Sequence, residues 1–248
     1  MEDGDWLRRA EDLARRCARG GELCAGVFLS ATECAILQKQ FRGLDGCRLL
    51  FHGGHPACER RAFFVLPDWM DEESFPAEDY LCALRLTAFF GKPNHRDYLG
   101  ALLGMGVGRE RLGDIWVDEA GATVFCLPGV CKHLLGIDKV GRVSVKAEPV
   151  ALAGLTAPEQ KFRPLSFSVQ SPRLDAVTAG LFQLSRSEAA RRVTLGLVKV
   201  NDLPEDRPDY EVCAGDVISL RGAGKARICG EGGTSRKGRQ FLNAEIYE

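Results

Sequence analysis

The spacing of apolar residues predicts two helices near the start of the chain. Within residues 5–19, apolar side chains recur every three or four positions, which is the periodicity of an amphipathic helix. They are Trp6, Leu7, Ala10, Leu13, Ala14 and Cys17. Ser30 and Glu33 have the spacing of a capping box, which predicts a second helix from Ser30 toward Phe41.

Two apolar runs after these helices predict two strands. Residues 47–54 and 60–67 are short and apolar, and a glycine-containing turn region separates them. The next stretch, 68–76, is acidic and ends in a proline, so we place a domain boundary near residue 75. The first domain is therefore expected to be a small α/β domain over residues 1–75.

In the next part of the chain, strands and helices alternate in the order βαββαβ. The predicted elements are a strand over 79–89, a helix over 96–105, strands over 114–119 and 122–128, a helix over 129–137 and a strand over 143–150. This order is that of the ferredoxin-like plait, which we predict for residues 76–165. The RNA-recognition form of the plait stacks bases on aromatic residues of its third strand, where this chain offers only Phe125. The plait therefore supports RNA binding by analogy alone.

The C-terminal part is predicted to begin with two short helices and to continue as strands. After a mixed linker at 151–170, a first helix starts at Arg173 and ends near Gly180. Ser185 is placed as the N-cap of a second helix, which ends before a glycine. The fold class is then α+β, with a third domain over residues 166–248.

Charge is unevenly distributed, although the whole chain carries a formal net charge of only −1. Between Asp202 and Asp216 there are six acidic residues and one base. Between Arg221 and Arg239 there are six basic residues and one acid. The bases are Arg221, Lys225, Arg227, Arg236, Lys237 and Arg239. Such a basic strip can attract a polyanion to a neutral protein, but a solvated surface without a role has the same pattern, so charge alone leaves both interpretations open.

Two arginines stand at the predicted starts of the C-terminal helices. Helix N-termini attract anions through outward-pointing backbone N–H groups, and guanidinium groups bind phosphate oxygens through paired hydrogen bonds. Arg173 and Arg186 are therefore the central candidates for phosphate contacts. Lys199, Lys225 and Arg227 would extend the contact along the strands. The alternative is that both arginines are solvated surface residues.

The same segment resembles a known RNA-binding module. The patterns R-L-D, S-R-x-x-A and G-x-V-x-V-N occur in this order with matching gaps, as in the alpha-L domain named after ribosomal protein S4. The matching positions are Arg173, Ser185, Arg186, Ala189, Gly196, Val198 and Asn201. Arg192 departs from the pattern, since such domains usually carry an apolar residue there. The resemblance implies an RNA-binding set of Arg173, Ser185, Arg186, Arg191, Lys199, Asn201, Lys225 and Arg227.

Three further segments resemble the YlmH proteins of bacteria. They are 53–67, 95–115 and 218–228, and the likeness extends from about residue 45 to the end of the chain. The resemblance implies a protein that binds rRNA and peptidyl-tRNA on a blocked large ribosomal subunit. It also implies a role in ribosome-associated quality control, where the stalled peptide receives a C-terminal tail. The genomic setting of the family near division genes implies a link to cell division.

Two further sets of residues have more than one interpretation. His95, Arg96, Arg109 and Arg111 surround the first helix of the plait and would form a second RNA surface or a surface ion-pair network. Asp175 lies in an Arg-Leu-Asp stretch that also resembles the catalytic region of some pseudouridine synthases. An RNA-modifying enzyme that uses the alpha-L domain for substrate delivery is therefore the alternative function. Because the residues after Asp175 are needed to complete the alpha-L module, we expect a local ion pair or cap there and no enzymatic activity.

Composition narrows the classes of protein further. The ten cysteines include no C-x-x-C pair, so we expect reduced, mostly buried thiols and neither a metal site nor a cofactor. No apolar run reaches the ~18–20 residues of a membrane span, and the charged N-terminus does not have the pattern of a signal peptide. We therefore expect a monomeric, cytoplasmic protein that does not bind membranes.

Overall fold

The computed structural model describes residues 5–41, 46–234 and 238–248. Arg236 and Lys237, two bases of the basic strip, lie outside the described residues.

The chain forms two compact units, and the first, Met1–Pro158, begins with a three-stranded antiparallel sheet in the order β1-β3-β2. Its elements are α1 (Asp5–Gly20), β1 (Cys24–Leu29), α2 (Ala31–Gln40), β2 (Cys47–His52) and β3 (Arg61–Pro67). Both predicted helices and the strands β2 and β3 are confirmed, and Ser30 and Glu33 form the predicted capping box. Strand β1 is not among the predicted elements, because it is one continuous apolar run without alternation and is buried at almost every position.

A five-stranded antiparallel sheet follows in the same unit, with the strand order β5-β6-β4-β8-β7. The elements are α3 (Ala77–Tyr80), β4 (Cys82–Ala88), α4 (His95–Gly104), β5 (Leu112–Asp118), β6 (Gly121–Cys126), α5 (Pro128–Leu134), β7 (Lys139–Val140) and β8 (Val143–Val150). The predicted order of elements is observed, with the short strand β7 in addition. The predicted strand over 79–89 is wrong at its start, because a single turn of helix, α3, precedes β4.

The two sheets of this unit share an apolar core. Phe28 of β1 and Phe125 of β6 are almost completely buried in one cluster. Asp114 of β5 also joins the sheets, since its carboxylate accepts hydrogen bonds from the backbone N–H groups of Glu59 and Arg60 at 2.7 and 3.0 Å. Phe125 therefore offers no exposed ring for base stacking. The boundary predicted near residue 75 falls between these two sheets, and a division into separate domains there stays a prediction.

The second unit, Glu159–Glu248, combines two helices with a six-stranded antiparallel sheet. The elements are β9 (Phe162–Val169), α6 (Leu174–Phe182), α7 (Arg186–Thr194), β10 (Val198–Val200), β11 (Leu203–Pro204), β12 (Val217–Leu220), β13 (Gly224–Thr234) and β14 (Gln240–Tyr247). The strand order is β11-β10-β12-β13-β14-β9. Val177 of α6 and Val193 of α7 are completely buried in one cluster with Ile218 of the sheet.

Strand β9 corrects the predicted organisation. The sequence predicts a linker over 151–170 and a boundary between residues 165 and 166, whereas β9 pairs with β14 along its whole length. Pro164 gives this segment the composition of a linker. The strand lies at the edge of the sheet, where a residue without an N–H group is tolerated. The second compact unit accordingly begins at Glu159.

Helix α6 is longer than predicted. The sequence predicts its end near Gly180, but the helix continues to Phe182, and Gln183 ends it in a left-handed conformation with φ 53°. Gly180 serves packing instead, since a Cβ at this position would lie 2.2 Å from the ring of Phe167 on β9. The glycine therefore allows a close approach of helix and strand, and it does not end the helix.

Candidate nucleic-acid interface

The carboxylate of Asp175 brings Arg173 and Arg186 together. Arg173 is the N-cap of α6, and Arg186 is the first residue of α7. Nε of Arg173 donates to Oδ1 of Asp175 at 3.2 Å, and Nε of Arg186 donates to Oδ2 at 3.2 Å. The arginine side chains are 41% and 56% exposed, whereas that of Asp175 is 8% exposed. One buried carboxylate thus positions two exposed guanidinium groups.

Asp175 is held in its ionised form. Burial alone would raise the pKa of its carboxyl group, but the hydrogen bonds and charges of Arg173 and Arg186 outweigh burial and lower the pKa below its ordinary value. Oδ1 also accepts a hydrogen bond from the N–H of Ala176 at 2.8 Å. The local ion pair that the sequence predicts for Asp175 is therefore confirmed.

The chain itself occupies the first backbone amides of α6, which corrects the expectation that this helix start offers free donors. The N–H of Leu174 donates to the carbonyl of Tyr210 at 2.8 Å, and the N–H of Asp175 donates to that of Pro208 at 3.0 Å. The third amide, that of Ala176, is bound by the side chain of Asp175. A phosphate contact at this helix start must therefore come from the arginine side chains.

Charged residues of α7 form their own network. Ser185 caps the helix as predicted, since its Oγ accepts a hydrogen bond from the N–H of Glu188 at 3.2 Å. Glu188 accepts hydrogen bonds from Nε and Nη2 of Arg191 at 2.9 Å each and from Nε of Arg192 at 2.7 Å. These bonds lower the pKa of Glu188 to about 2. RNA contacts by Ser185 and Arg191 stay predictions, and both residues have partners within the helix.

The departure from the alpha-L pattern at Arg192 leaves the inner side of α7 apolar. Ala189 and Val193 are completely buried. Arg192 is 30% exposed and is paired with Glu188 on the outer side of the helix. The arginine therefore replaces no residue of the core.

An open cavity of about 510 Å³ lies beside the arginine pair, between α6 and β9. Of the described residues that line it, Arg186 and Arg239 are charged. Nη2 of Arg239 donates to the carbonyl of Ser168 at 2.7 Å, which fixes the guanidinium against β9. In the sequence, Arg239 is only one base of the basic strip, because its place in this cavity depends on the pairing of β14 with β9.

Asn201 shapes the turn after β10. Its backbone is left-handed, with φ 50°. Nδ2 donates to Oδ1 of Asp216 at 2.8 Å, and Oδ1 accepts a hydrogen bond from the N–H of Val217 at 2.9 Å. The predicted RNA contact at Asn201 stays a prediction, while these hydrogen bonds explain locally why an asparagine stands at this position.

Lys199, Lys225 and Arg227 lie on the sheet. Lys199 is opposite Ser219, and Ser219 is opposite Lys225 on the next strand. Nζ of Lys225 lies 5.4 Å from the centroid of the Tyr247 ring, and Cζ of Arg227 lies 5.9 Å from it. No local sequence signal points to Tyr247, because only the register of β13 and β14 brings it to these cations.

The predicted second RNA surface separates into two pairs at the two ends of α4. His95 and Arg96 are exposed in its first turn, whereas Arg109 and Arg111 belong to a short 3-10 helix after it. Because α4 has ten residues, its ends are roughly 15 Å apart. Arg109 points inward, since its Nη1 donates to two carbonyls of β5 at 2.8 and 3.0 Å, and burial lowers its pKa to about 10. His95, Arg96 and Arg111 remain exposed.

All ten cysteines are free, and Cys213 and Cys229 are the exposed ones, while the others are buried or half-buried. Within the part of the chain that the structure describes, no helix is both long and apolar enough to cross a membrane.

Comparisons with known proteins match both units. Two family models match the chain, the “Putative RNA-binding domain in YlmH” at residues 75–153 and the S4 domain at residues 173–218. The chain is 30% identical over 211 residues to ribosome-associated protein quality control protein P2 of Bacillus subtilis (strain 168). The aligned region covers 85% of this chain and 82% of that relative. Among solved structures, cell division protein ylmH from Streptococcus pneumoniae is similar in fold with a TM-score of 0.50 and 18% identity. This match covers 60% of this chain and 92% of that one.

Proposed function

Because this chain belongs to the YlmH family and carries a C-terminal S4 domain, we propose that it binds rRNA and peptidyl-tRNA on a blocked large ribosomal subunit. In this proposal it acts in ribosome-associated quality control, where the stalled peptide receives a C-terminal tail. The B. subtilis relative is named as a ribosome-associated quality control protein. The similar S. pneumoniae structure is named as a cell division protein, so a link to division forms a further part of the proposal.

The arginine pair at the starts of α6 and α7 carries the proposal. A guanidinium group has five N–H donors. The carboxylate of Asp175 accepts hydrogen bonds from Nε of Arg173 and from Nε and Nη2 of Arg186. The other N–H donors of both exposed side chains then remain for an outside acceptor. Phosphate oxygens are suited to this role, and a guanidinium that is already positioned loses less freedom on binding. One carboxylate neutralises only one of the two positive charges, so the pair still attracts a polyanion.

The cavity beside Arg186 fits the same function. Its volume of about 510 Å³ can accommodate a phosphate and part of the attached ribose. Arg239, just before β14, lines it with its guanidinium held against β9 and would provide a further guanidinium for the same phosphate. Phosphate contacts of this kind would supply most of the affinity, and the shape of the folded RNA would supply most of the specificity.

For residues 75–153 we propose a ferredoxin-like plait that contacts RNA through its helix ends. The antiparallel order β5-β6-β4-β8 supports this fold. Phe125, the aromatic residue of the third strand, is completely buried, which disfavours base stacking on that sheet. His95 and Arg96 are exposed in the first turn of α4, and Arg111 is exposed in the short 3-10 helix after α4, so these three residues are the candidates for this second contact.

We infer binding rather than catalysis as the role of the C-terminal unit. A carboxylate that acts as a base or a nucleophile must present an oxygen to its substrate. The carboxylate of Asp175 is buried instead, and both of its oxygens accept hydrogen bonds, Oδ1 from Arg173 and Ala176 and Oδ2 from Arg186. This state suits an ionised residue that orients its neighbours.

Crosslinking of the full chain to ribosomal particles tests the proposal, with sequencing of the attached RNA and identification of the attached peptide. We expect crosslinks from α6 and α7 to large-subunit rRNA and to tRNA, enriched on subunits that hold peptidyl-tRNA. A chain in which Arg173 and Arg186 are both alanine should lose these crosslinks. Equal crosslinking of empty and blocked subunits would contradict the proposed ribosomal state, and crosslinks only to unrelated RNA would contradict the proposed partner.

A further inference from the structure

The outer face of the C-terminal sheet carries cationic and aromatic side chains at one level across five strands. Cα pairing places Lys199 opposite Ser219, Ser219 opposite Lys225, and Tyr247 opposite Phe162. Ala226 pairs with Ile246, so Lys225 lies beside Tyr247. We call the following residues the outer row: Lys199, Ser219, Lys225, Arg227, Tyr247 and Phe162.

The outer row faces away from the core of the unit. Its neighbours along the strands, Val198, Ile218 and Ala226, are buried. Successive side chains of a strand point to opposite faces of a sheet, so the row occupies the other face. Phe162 is 40% exposed, which is high for an aromatic side chain that forms part of a sheet. The row therefore presents rings and cations together on an open surface.

The side chains of the row contact one another. The rings of Phe162 and Tyr247 lie edge to face with centroids 5.0 Å apart. Nη2 of Arg227 donates to the hydroxyl of Tyr247 at 3.1 Å, and its Cζ lies 6.0 Å from the Phe162 ring. Nζ of Lys225 lies 5.4 Å from the Tyr247 ring. These contacts hold both cations over the Tyr247 ring, with Arg227 also close to the Phe162 ring.

Rings next to cations on an open sheet are suited to single-stranded nucleic acid. Unpaired bases stack on aromatic side chains, and the neighbouring phosphates require positive charges. Bases inside a duplex are already stacked on one another and are not available to such rings. Glu245 lies opposite Arg227, but Lys199, Lys225 and Arg227 outnumber it, so the charge of the face favours a polyanion.

We propose that the outer row binds an unpaired nucleotide of RNA, with its base stacked on the exposed Phe162 ring, which Tyr247 supports edge to face, and its phosphates at Lys225 and Arg227. This inference rests on the proposed RNA-binding function. It adds a contact that differs in kind from the pair of Arg173 and Arg186, because it reads single-stranded bases instead of the backbone of folded RNA. The C-terminal unit would then hold a folded RNA and an adjacent single-stranded segment at once.

The test uses the full chain and two RNA probes, a single-stranded oligonucleotide with a fluorescent adenine analogue and a blunt-ended RNA hairpin whose two strands are joined by a non-nucleotide linker, so that it has no unpaired base. The test variant replaces both rings with leucine (Phe162→Leu and Tyr247→Leu), which keeps apolar bulk and removes the stacking surface. Phe162→Leu alone serves if the double variant melts at a lower temperature. The matched control is Phe90→Leu, since Phe90 is 86% exposed and lies in the first unit.

We expect wild-type protein to change the fluorescence of the analogue and the double leucine variant to lose this change. Its affinity for the single strand should fall at least ~5-fold, the lower limit for one stacked base. Its affinity for the hairpin should remain unchanged, and Phe90→Leu should behave as wild type. Equal losses in Phe90→Leu and the double variant would overturn the proposal, as would wild-type fluorescence and affinity in the folded double variant.

The cations of the row give a second readout. Lys225→Ala with Arg227→Ala should weaken single-strand binding and make the log–log salt dependence shallower by ~0.7 per charge removed. The double leucine variant should keep the wild-type salt slope, because it removes no cation. Alanine at Arg173 and Arg186 should weaken hairpin binding and preserve the fluorescence change of the single strand. Wild-type protein that binds neither probe would contradict both proposals. Two outcomes would overturn the proposal for the outer row and leave the other proposal intact. In the first, wild-type protein binds the hairpin but not the single strand. In the second, it binds polyglutamate in place of the oligonucleotide.

Discussion

Nε of Arg186 donates a hydrogen bond to Oδ2 of Asp175 at 3.2 Å, between residues eleven positions apart. Asp175 lies in the first turn of α6, and Arg186 is the first residue of α7, so this bond fixes the two helix starts relative to each other. The Asp175 side chain is only 8% exposed, and the same carboxylate also holds Arg173. Stability of the C-terminal unit and the position of its phosphate-binding candidates therefore depend on one side chain.

Asp175→Ala should reduce the free energy of unfolding by about 1–3 kcal/mol, because four donors lose a buried acceptor. These donors are Nε of Arg173, Nε and Nη2 of Arg186 and the N–H of Ala176. Urea unfolding of the full chain, followed by circular dichroism, measures the change. Asp206→Ala is the control, since Asp206 is exposed in the same unit and should change stability by no more than about 0.5 kcal/mol. Equal effects of the two substitutions would show that the hydrogen bonds of the buried Asp175 carboxylate add nothing to stability.

The stability that Asp175 provides should depend on pH. The pKa of its carboxyl group is lower in the folded chain than in the unfolded chain, where it is about 3.9. Its ionisation therefore stabilises the fold above about pH 4, and this contribution disappears as the pH falls through the folded-state pKa. The difference in unfolding free energy between wild type and Asp175→Asn should be constant near neutral pH and shrink below about pH 4. Urea titrations at a series of pH values measure it, and a difference that grows on acidification would contradict the argument.

Gly180→Ala should destabilise the protein by about 1–3 kcal/mol, although alanine is the better helix former. The added Cβ would lie 2.2 Å from the Phe167 ring, so α6 and β9 would have to separate. Gly100→Ala in α4 is the matched control, because a Cβ there meets nothing within 4 Å, and it should stabilise by about 0.5–1 kcal/mol. Thermal unfolding compares the two variants. If Phe167→Leu fails to relieve the effect of Gly180→Ala, the contact with this ring is not its cause.

A fragment that begins at Glu159 should fold on its own, and one that begins at Ser171 should not. The longer fragment contains β9, which pairs with β14 over eight residues, whereas the shorter one exposes that edge. Removing β9 also removes Phe167 and Val169 from the core cluster of the unit. A unit of this size has little stability to lose. Circular dichroism melts of both fragments test the boundary, and equally cooperative melting would show that β9 is dispensable.

Local signals predict much of the fold, and non-local pairing explains what they miss. The capping box at Ser30 and the cap at Ser185 each depend on residues three positions apart, so the sequence places the starts of α2 and α7 correctly. β1 has no alternation of polar and apolar residues because both of its faces are buried. β9 contains Pro164, and only its place at the sheet edge makes the proline acceptable.

The candidate site also has one part that local sequence signals predict and another part that depends on contacts between distant residues. Arg173 and Arg186 follow from a sequence motif, because their positions at the helix starts are local properties of the chain. The sequence does not show that carbonyls of a later loop occupy the first amides of α6, or that Tyr247 reaches Lys225. Those contacts are set by the docking of the loop and by strand register, which link distant residues.

The affinity of the full chain for large ribosomal subunits, measured across a salt series, tests the central claim most directly. The comparison is between wild type, the double variant with Arg173→Ala and Arg186→Ala, and the control Arg207→Ala. Arg207 is an exposed arginine of the same unit and is paired with Glu205.

We expect the double variant to bind more weakly, with a log–log salt slope shallower by about one unit per arginine, while Arg207→Ala retains the wild-type slope. Arg186→Lys should recover only part of the lost affinity, because lysine keeps the charge without the planar fork. Wild-type affinity and slope in a folded double variant would contradict the assignment of the RNA contact to these two arginines.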